Sequence, residues 1–175
     1  MIQPIINDYE SYKDRIFILN PDTGVFVSAK EWIEKADDPT RAEILAVQTP
    51  YYAIVFPKKF LKGTFNFEEA QKAVSEFEAA GLNIEYKWRS PRRNESNYIY
   101  DAYWSGMKEV LEKIGGDSFE TRWWTCEKDS WSCSRGAAGG AWCFNGDSGC
   151  AVYNGMNFSG VALPVVLLST SEVSN

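Results

Sequence analysis

Apolar and polar positions follow two rhythms along this chain, and the order of those rhythms predicts its elements. Arg15–Leu19 (Arg-Ile-Phe-Ile-Leu) and Val25–Ser28 are short β-type runs separated by Asn20-Pro-Asp-Thr-Gly24. Apolar runs around turn residues predict a hairpin. Ser28-x-x-Glu31 has the spacing of a helix cap and predicts a short helix carrying Trp32. Ala36–Thr40 is a polar break. Glu43–Gln48 and Tyr51–Phe56 flank Thr49-Pro50 and predict a second hairpin or two neighbouring strands, followed by a loop over Lys58–Thr64.

The rhythm then becomes helical. Asn66-x-x-Glu69 predicts a capping box and a helix reaching Ala80, stopped by Gly81. Phe67, Ala70, Val74, Phe77 and Ala80 recur at helical spacing and read as a core stripe. Asn83–Trp88 reads as a short strand or extended link. A second helix is predicted from about Asn97 to Ile114, with Tyr100, Tyr103, Trp104, Met107, Leu111 and Ile114 inward, ended by Gly115-Gly116. From Trp123 to Leu168 aromatic strands alternate with polar, Gly-rich loops. Val161–Leu168 is apolar on both faces, as a central buried strand would be. Pro164 donates no ladder hydrogen bond, so a bulge or the strand's edge is expected there. Hairpin, helix, helix, then strands predicts an α+β fold: two helices packed on a twisted antiparallel sheet, with long C-terminal loops.

Composition narrows the chemistry. At 175 residues, one domain with a real core is expected. A net charge of −6 and a pI near 4.8 argue against a nucleic-acid partner, which needs a basic face. The chain has no His, which removes the commonest general base and metal ligand and excludes Ser-His and Cys-His pairs. The longest apolar run, Val161–Leu168, falls far short of the roughly 20 residues of a membrane span, so no membrane insertion is expected. Met1–Asp8 lacks the basic and apolar regions of a signal peptide, so synthesis and folding in the cytoplasm are expected. Cys126, Cys133, Cys143 and Cys150 are spaced C-x6-C-x9-C-x6-C, unlike paired zinc ligands. Small buried thiols are the expectation and disulfides the alternative. No catalytic residue, metal or cofactor is predicted.

Five phrases, in order, resemble those of the DUF1566 and Fibrobacter-succinogenes major-domain group. Trp88-Arg89-Ser90-Pro91-x-x-x-Glu95 is similar to its W-R-L-P-T-x-x-E phrase. Trp124-Thr125-Cys126-Glu127 is similar to W-S-S-T/E, Ala141-Trp142 to its A-W, and Asn145–Gly149 to the polar turn that follows. Val161-Ala-Leu-Pro164-Val165 is similar to its closing V-R-P-V strand. The front half also resembles versions found in gut Bacteroidales and their tailed, crAss-like phages. The resemblance implies a C-type-lectin-like fold over residues 15–168, preceded by an arm over 1–14 as a possible attachment segment and followed by a polar tail over 169–175. Departures are visible: Arg92 stands where the group has Thr, so its usual cap is missing and Asn94 is expected to cap one turn later. Leu163 replaces the closing Arg.

The candidate residues divide accordingly. Trp88, Arg89, Pro91, Glu95, Trp124, Trp142 and Pro164 read as structural signature, with Arg89 and Glu95 as an ion pair or cap. Lys87, Arg89, Arg92 and Arg93 form a basic patch on an acidic chain. The Gly-rich loop Glu127–Gly140 carries one exposed-type aromatic, Trp131, beside polar groups, a combination that suits sugar rings. Asp129, Trp131, Arg135, Asn145, Asp147, Tyr153 and Asn154 are the predicted ligand-binding rim, and Trp131 leads it. Glu127, Asn145 and Asp147 could offer oxygens to calcium, but a hard-cation site needs six or more. The predicted function is a non-enzymatic binding and display module. By the resemblance it is a phage virion surface component, a head or tail fibre or a capsid decoration. Its expected partners are host surface glycan or protein and other virion chains, and it is expected to be a homo-oligomer. A purely structural assembly protein is the alternative, and a relative of the formylglycine-generating oxidases a more distant one.

Overall fold

In the first half the chain is stitched into one sheet by two consecutive hairpins. The structure, a computed structural model, describes residues 13–79, 87–129 and 140–173. Strand β1 (Ile16–Leu19) pairs with β2 (Phe26–Ser28) and, on its other side, with β3 (Ile44–Gln48). Strand β3 pairs with β4 (Ala53–Pro57), and β4 with β8 (Val166–Leu168). All pairings are antiparallel and the order is β2-β1-β3-β4-β8. Both faces are buried, which is why β3 and β4 read as unbroken apolar runs. Ile18, Leu45, Val47, Ile54 and Phe56 pack in one cluster with Met107 and Leu111. Ala46, Val55, Val166 and Val173 pack in another.

The helices are placed by local chemistry. Ser28 caps α1 (Ala29–Lys35) by accepting from the Glu31 N–H at 3.1 Å. Trp32 is buried on its inner side and donates to the Pro39 carbonyl at 3.1 Å. The capping box of α2 (Phe67–Ser75) is present: Asn66 Oδ1 accepts from Glu69 N–H, and the Glu69 carboxylate accepts from Asn66 N–H. This helix ends at Ser75, short of the expected Ala80. Phe77 leaves the stripe and meets the Trp88 ring edge-on at 4.9 Å. Ala80, Gly81 and most of Asn83–Trp88 lie outside the described residues.

The second predicted helix departs further. Helix α3 (Arg93–Ala102) begins four residues early, and Asn94 falls inside it rather than capping it. Instead, Glu95 reaches back to accept from the Arg92 N–H at 2.7 Å. A wide turn, Tyr103–Met107, separates α3 from α4 (Lys108–Ile114). In it the Lys108 N–H donates to the Tyr103 carbonyl, five residues back, while Ser105 and Gly106 leave helical angles. Gly106 has φ 128°, a conformation that a side chain disfavours. Met107, Leu111 and Ile114 continue the buried stripe of Ile99, Ala102 and Tyr103. Trp104, expected inward, is left 48% exposed. Gly115 closes α4 in the left-handed conformation.

The expected single sheet is two. Strands β5 (Arg122–Asp129), β6 (Gly140–Asn145) and β7 (Cys150–Gly155) form a separate antiparallel sheet. Val161–Leu168 is not a central strand: only Val166–Leu168 is ladder-paired, at the edge of the first sheet. Pro164 is buried just before it. The rest of the run reaches the second sheet by a single bridge from Val161 to Trp123 of β5, and holds the segment before α3 by another from Val165 to Arg89. The architecture is α+β, with two antiparallel sheets and few helices. The last described residues form a helical turn, Thr170–Val173, with Val173 buried.

Candidate functional site: an aromatic and ion-pair face on the second sheet

Period-two alternation sorts the second sheet into two faces. Ala141 and Cys143 pack with Phe67, Val74 and Trp124 beneath α2. Trp142 and Phe144 point the other way, where Phe144 joins the main core and lies 6.0 Å from the Tyr100 ring of α3. Trp142 shares that face but is only half-buried. The sequence places Trp142 among the structural signature residues; in the structure part of its ring remains open. Its register partner on β7 is Tyr153, whose ring meets it edge-on at 5.5 Å and is 37% exposed. A Cβ on Gly140 would run into the Tyr153 ring, so glycine there leaves that ring its seat.

A bulge brings charge to these rings. The β5–β6 register shifts between Trp124 and Lys128, so Thr125, Cys126 and Glu127 are looped out opposite Trp142. Thr125 Oγ1 donates to the Trp142 carbonyl at 2.8 Å. The Cys126 N–H donates to the Pro91 carbonyl at 3.0 Å, docking the bulge on the chain that enters α3. Glu127 accepts from the Arg93 N–H at 3.2 Å and from Arg93 Nε at 2.7 Å. The Arg93 guanidinium carbon then lies 4.6 Å above the Trp142 ring. Bulges often re-aim side chains in this way. The result is two half-open aromatic rings beside a paired cation and carboxylate, next to the strand ends that lead into residues 130–139.

The signature residues behave structurally. Arg89 and Glu95 form a two-pronged pair, with Nη1–Oε2 2.7 Å and Nη2–Oε1 2.6 Å. Trp124 is fully buried and donates to the Phe65 carbonyl at 2.9 Å. Trp88 is half-buried against Phe77.

The predicted rim does not converge on one place. Tyr153 lies on the Trp142 face. Its neighbour Asn154 lies on the opposite face, donating to Cys143 Sγ at 2.8 Å. Asn145 and Asp147 sit at the β6–β7 turn, about 16 Å along β6 from Gly140 at the usual rise per residue. There Asn145 Oδ1 accepts from the Asp147 N–H at 3.1 Å. Asp129 pairs through its backbone with Gly140. Trp131 and Arg135 lie outside the described residues, as does Cys133. The three possible calcium oxygens are also apart, since Glu127 is engaged by Arg93 at the bulge. Among the described residues no group of three or more His, Cys, Asp or Glu side chains could hold a metal.

Cys126, Cys143 and Cys150 are free thiols. Burial pushes the Cys126 and Cys143 thiols up, away from the reactive thiolate. Arg89 beside Cys126 opposes that shift but does not reverse it. Neither thiol is set up as a nucleophile.

The sequence placed Arg93 only within a basic patch and took Trp142 as scaffold. The alternation of small Ala141 and Cys143 with large Trp142 and Phe144 is the signal that separates the two faces.

No protein-family model matches the chain, and no curated protein matches it. Among solved structures it is similar to the EPNH mutant of CEL-I, with a TM-score of 0.42 and 13% identity over 71% of this chain and 94% of that one.

Proposed function

We propose that this chain is a non-enzymatic recognition module whose Trp142–Tyr153 face takes up a surface glycan or a protein displaying one. The observation that carries the reading is the half-open ring pair beside Arg93 and Glu127, an ion pair of 2.7 Å. Sugars present an apolar face that stacks on aromatic rings and hydroxyls that both donate and accept, and this site offers a partner for each. Residues 130–139, with Trp131 and Arg135, follow β5 and precede β6 in the sequence. The raised thiols and the chain's lack of His support a binding role over catalysis.

That the module belongs to a phage virion, contacting a host surface and neighbouring virion chains as a homo-oligomer, is supported by the resemblance of the five sequence phrases. Peptides of this chain in purified virions of the encoding phage would test that part.

A glycan array probed with multivalent protein tests the binding reading. Wild type binds at least one glycan class, and Trp142→Ala and Trp131→Ala each weaken that binding about tenfold, as loss of one aromatic anchor does. Binding that survives Trp142→Ala contradicts the site. Absence of binding to every glycan contradicts the reading.

A further inference from the structure

The construction at Trp142 is repeated just past the C-terminal end of α3. Trp104 is 48% exposed, with Tyr100 and Tyr103 edge-on to it at 6.3 and 5.2 Å. Lys108 Nζ lies 5.0 Å above its ring and pairs with Glu120 at 2.7 Å. An open indole with a cation over it and a carboxylate holding the cation therefore occurs at both places. Helix α3 links them. Arg93, Tyr100 and Trp104 are seven and four residues apart and lie on one helical face. Tyr100 contacts Phe144, whose side of β6 is the side of Trp142. The span from Arg93 to Trp104 is about 16 Å at the α-helical rise. Trp104 lies within the wide turn at Tyr103–Met107. Widened helical turns of this kind recur at functional sites.

We propose that Trp104 is a second contact for the ligand of the Trp142 face, and that the ligand is a neutral linear oligosaccharide long enough to lie along α3 between the two indoles. This rests on the sugar-binding reading of that face. The charges favour a neutral chain: each cation is already matched by its own carboxylate, and the protein carries a net charge of −6, so a polyanion finds no net attraction. Two stacking platforms separated along a helix suit a polymer of rings, whose faces are apolar and whose rims both donate and accept hydrogen bonds.

The test is calorimetric titration with chito-oligosaccharides of one to six units, using wild type, Trp104→Ala, Trp104→Phe and Trp142→Ala, each checked for an unchanged thermal midpoint. Wild-type affinity rises at least tenfold from disaccharide to hexasaccharide. Trp104→Ala abolishes that rise and leaves disaccharide affinity unchanged, while Trp104→Phe keeps most of it. Length-independent affinity, a hexasaccharide bound equally by Trp104→Ala, no binding at any length, or tighter binding of acidic oligosaccharides of the same length would each overturn the proposal. Failure of Trp142→Ala to weaken the disaccharide would instead bring down the underlying reading of the Trp142 face.

Discussion

The guanidinium of Arg89 meets the carboxylate of Glu95 in a two-pronged pair of 2.7 and 2.6 Å, and the same carboxylate accepts the Arg92 N–H that opens α3. Glu95 is 2% exposed, while the Arg89 side chain keeps about a third of its surface open. One buried carboxylate thus orients the loop, starts the helix and sets Arg93 above Trp142. The face that carries the proposed function is positioned from below by a pair that does not itself belong to it.

Removing that carboxylate has a large effect. Glu95→Ala leaves a half-buried guanidinium and an uncapped helix start, and costs about 3 kcal/mol in urea unfolding. The double variant Arg89→Met/Glu95→Met recovers much of the loss, because no unpaired charge remains. A Glu95→Ala variant within about 0.5 kcal/mol of wild type, the range of an ordinary surface substitution, would show that the pair is incidental.

The second platform has a pH signature. Hydrogen bonds from Lys108 and then Tyr103 hold the Glu120 carboxyl below its ordinary range. A carboxylate depressed in the folded state adds stability above the unfolded value, about 4.3, and loses it as pH falls through the lower folded value. Glu120→Gln is therefore less stable than wild type at pH 7, and the gap closes as pH falls below 4. Urea midpoints measured from pH 7 to pH 3 check this. A gap that stays constant over that range would refute the electrostatic origin.

Much of the fold is legible in the sequence, for identifiable reasons. The opening hairpin, the Ser28 cap and the Asn66 box are local chemistry, and each forms where the residues place it. The failures are non-local. Nothing near Arg93 announces that Glu127, thirty-four residues away, accepts from the first turn of α3 and lets the helix begin early. Trp104 is apolar and adjoins the buried stripe of Tyr103 and Met107, so spacing alone assigns it inward, although it is 48% exposed. Val161–Leu168 is apolar because it joins two sheets, which composition cannot distinguish from a central strand. Of the predicted rim, Tyr153 reaches the aromatic face while Asn145, Asp147 and Asn154 do not, because strand pairing and alternation decide which loop residues share a side.

The side-chain indole N–H signals offer the most direct test of the recognition face. Those of Trp32, Trp123 and Trp124 are tied internally, to the Pro39 carbonyl, Ser96 Oγ and the Phe65 carbonyl, and serve as fixed references. In a ¹⁵N–¹H spectrum titrated with the strongest array glycan, the Trp142 indole signal shifts with saturation while the three references stay in place. A Trp142 signal that does not respond to any array glycan, or moves only together with the three buried indoles, would contradict the account.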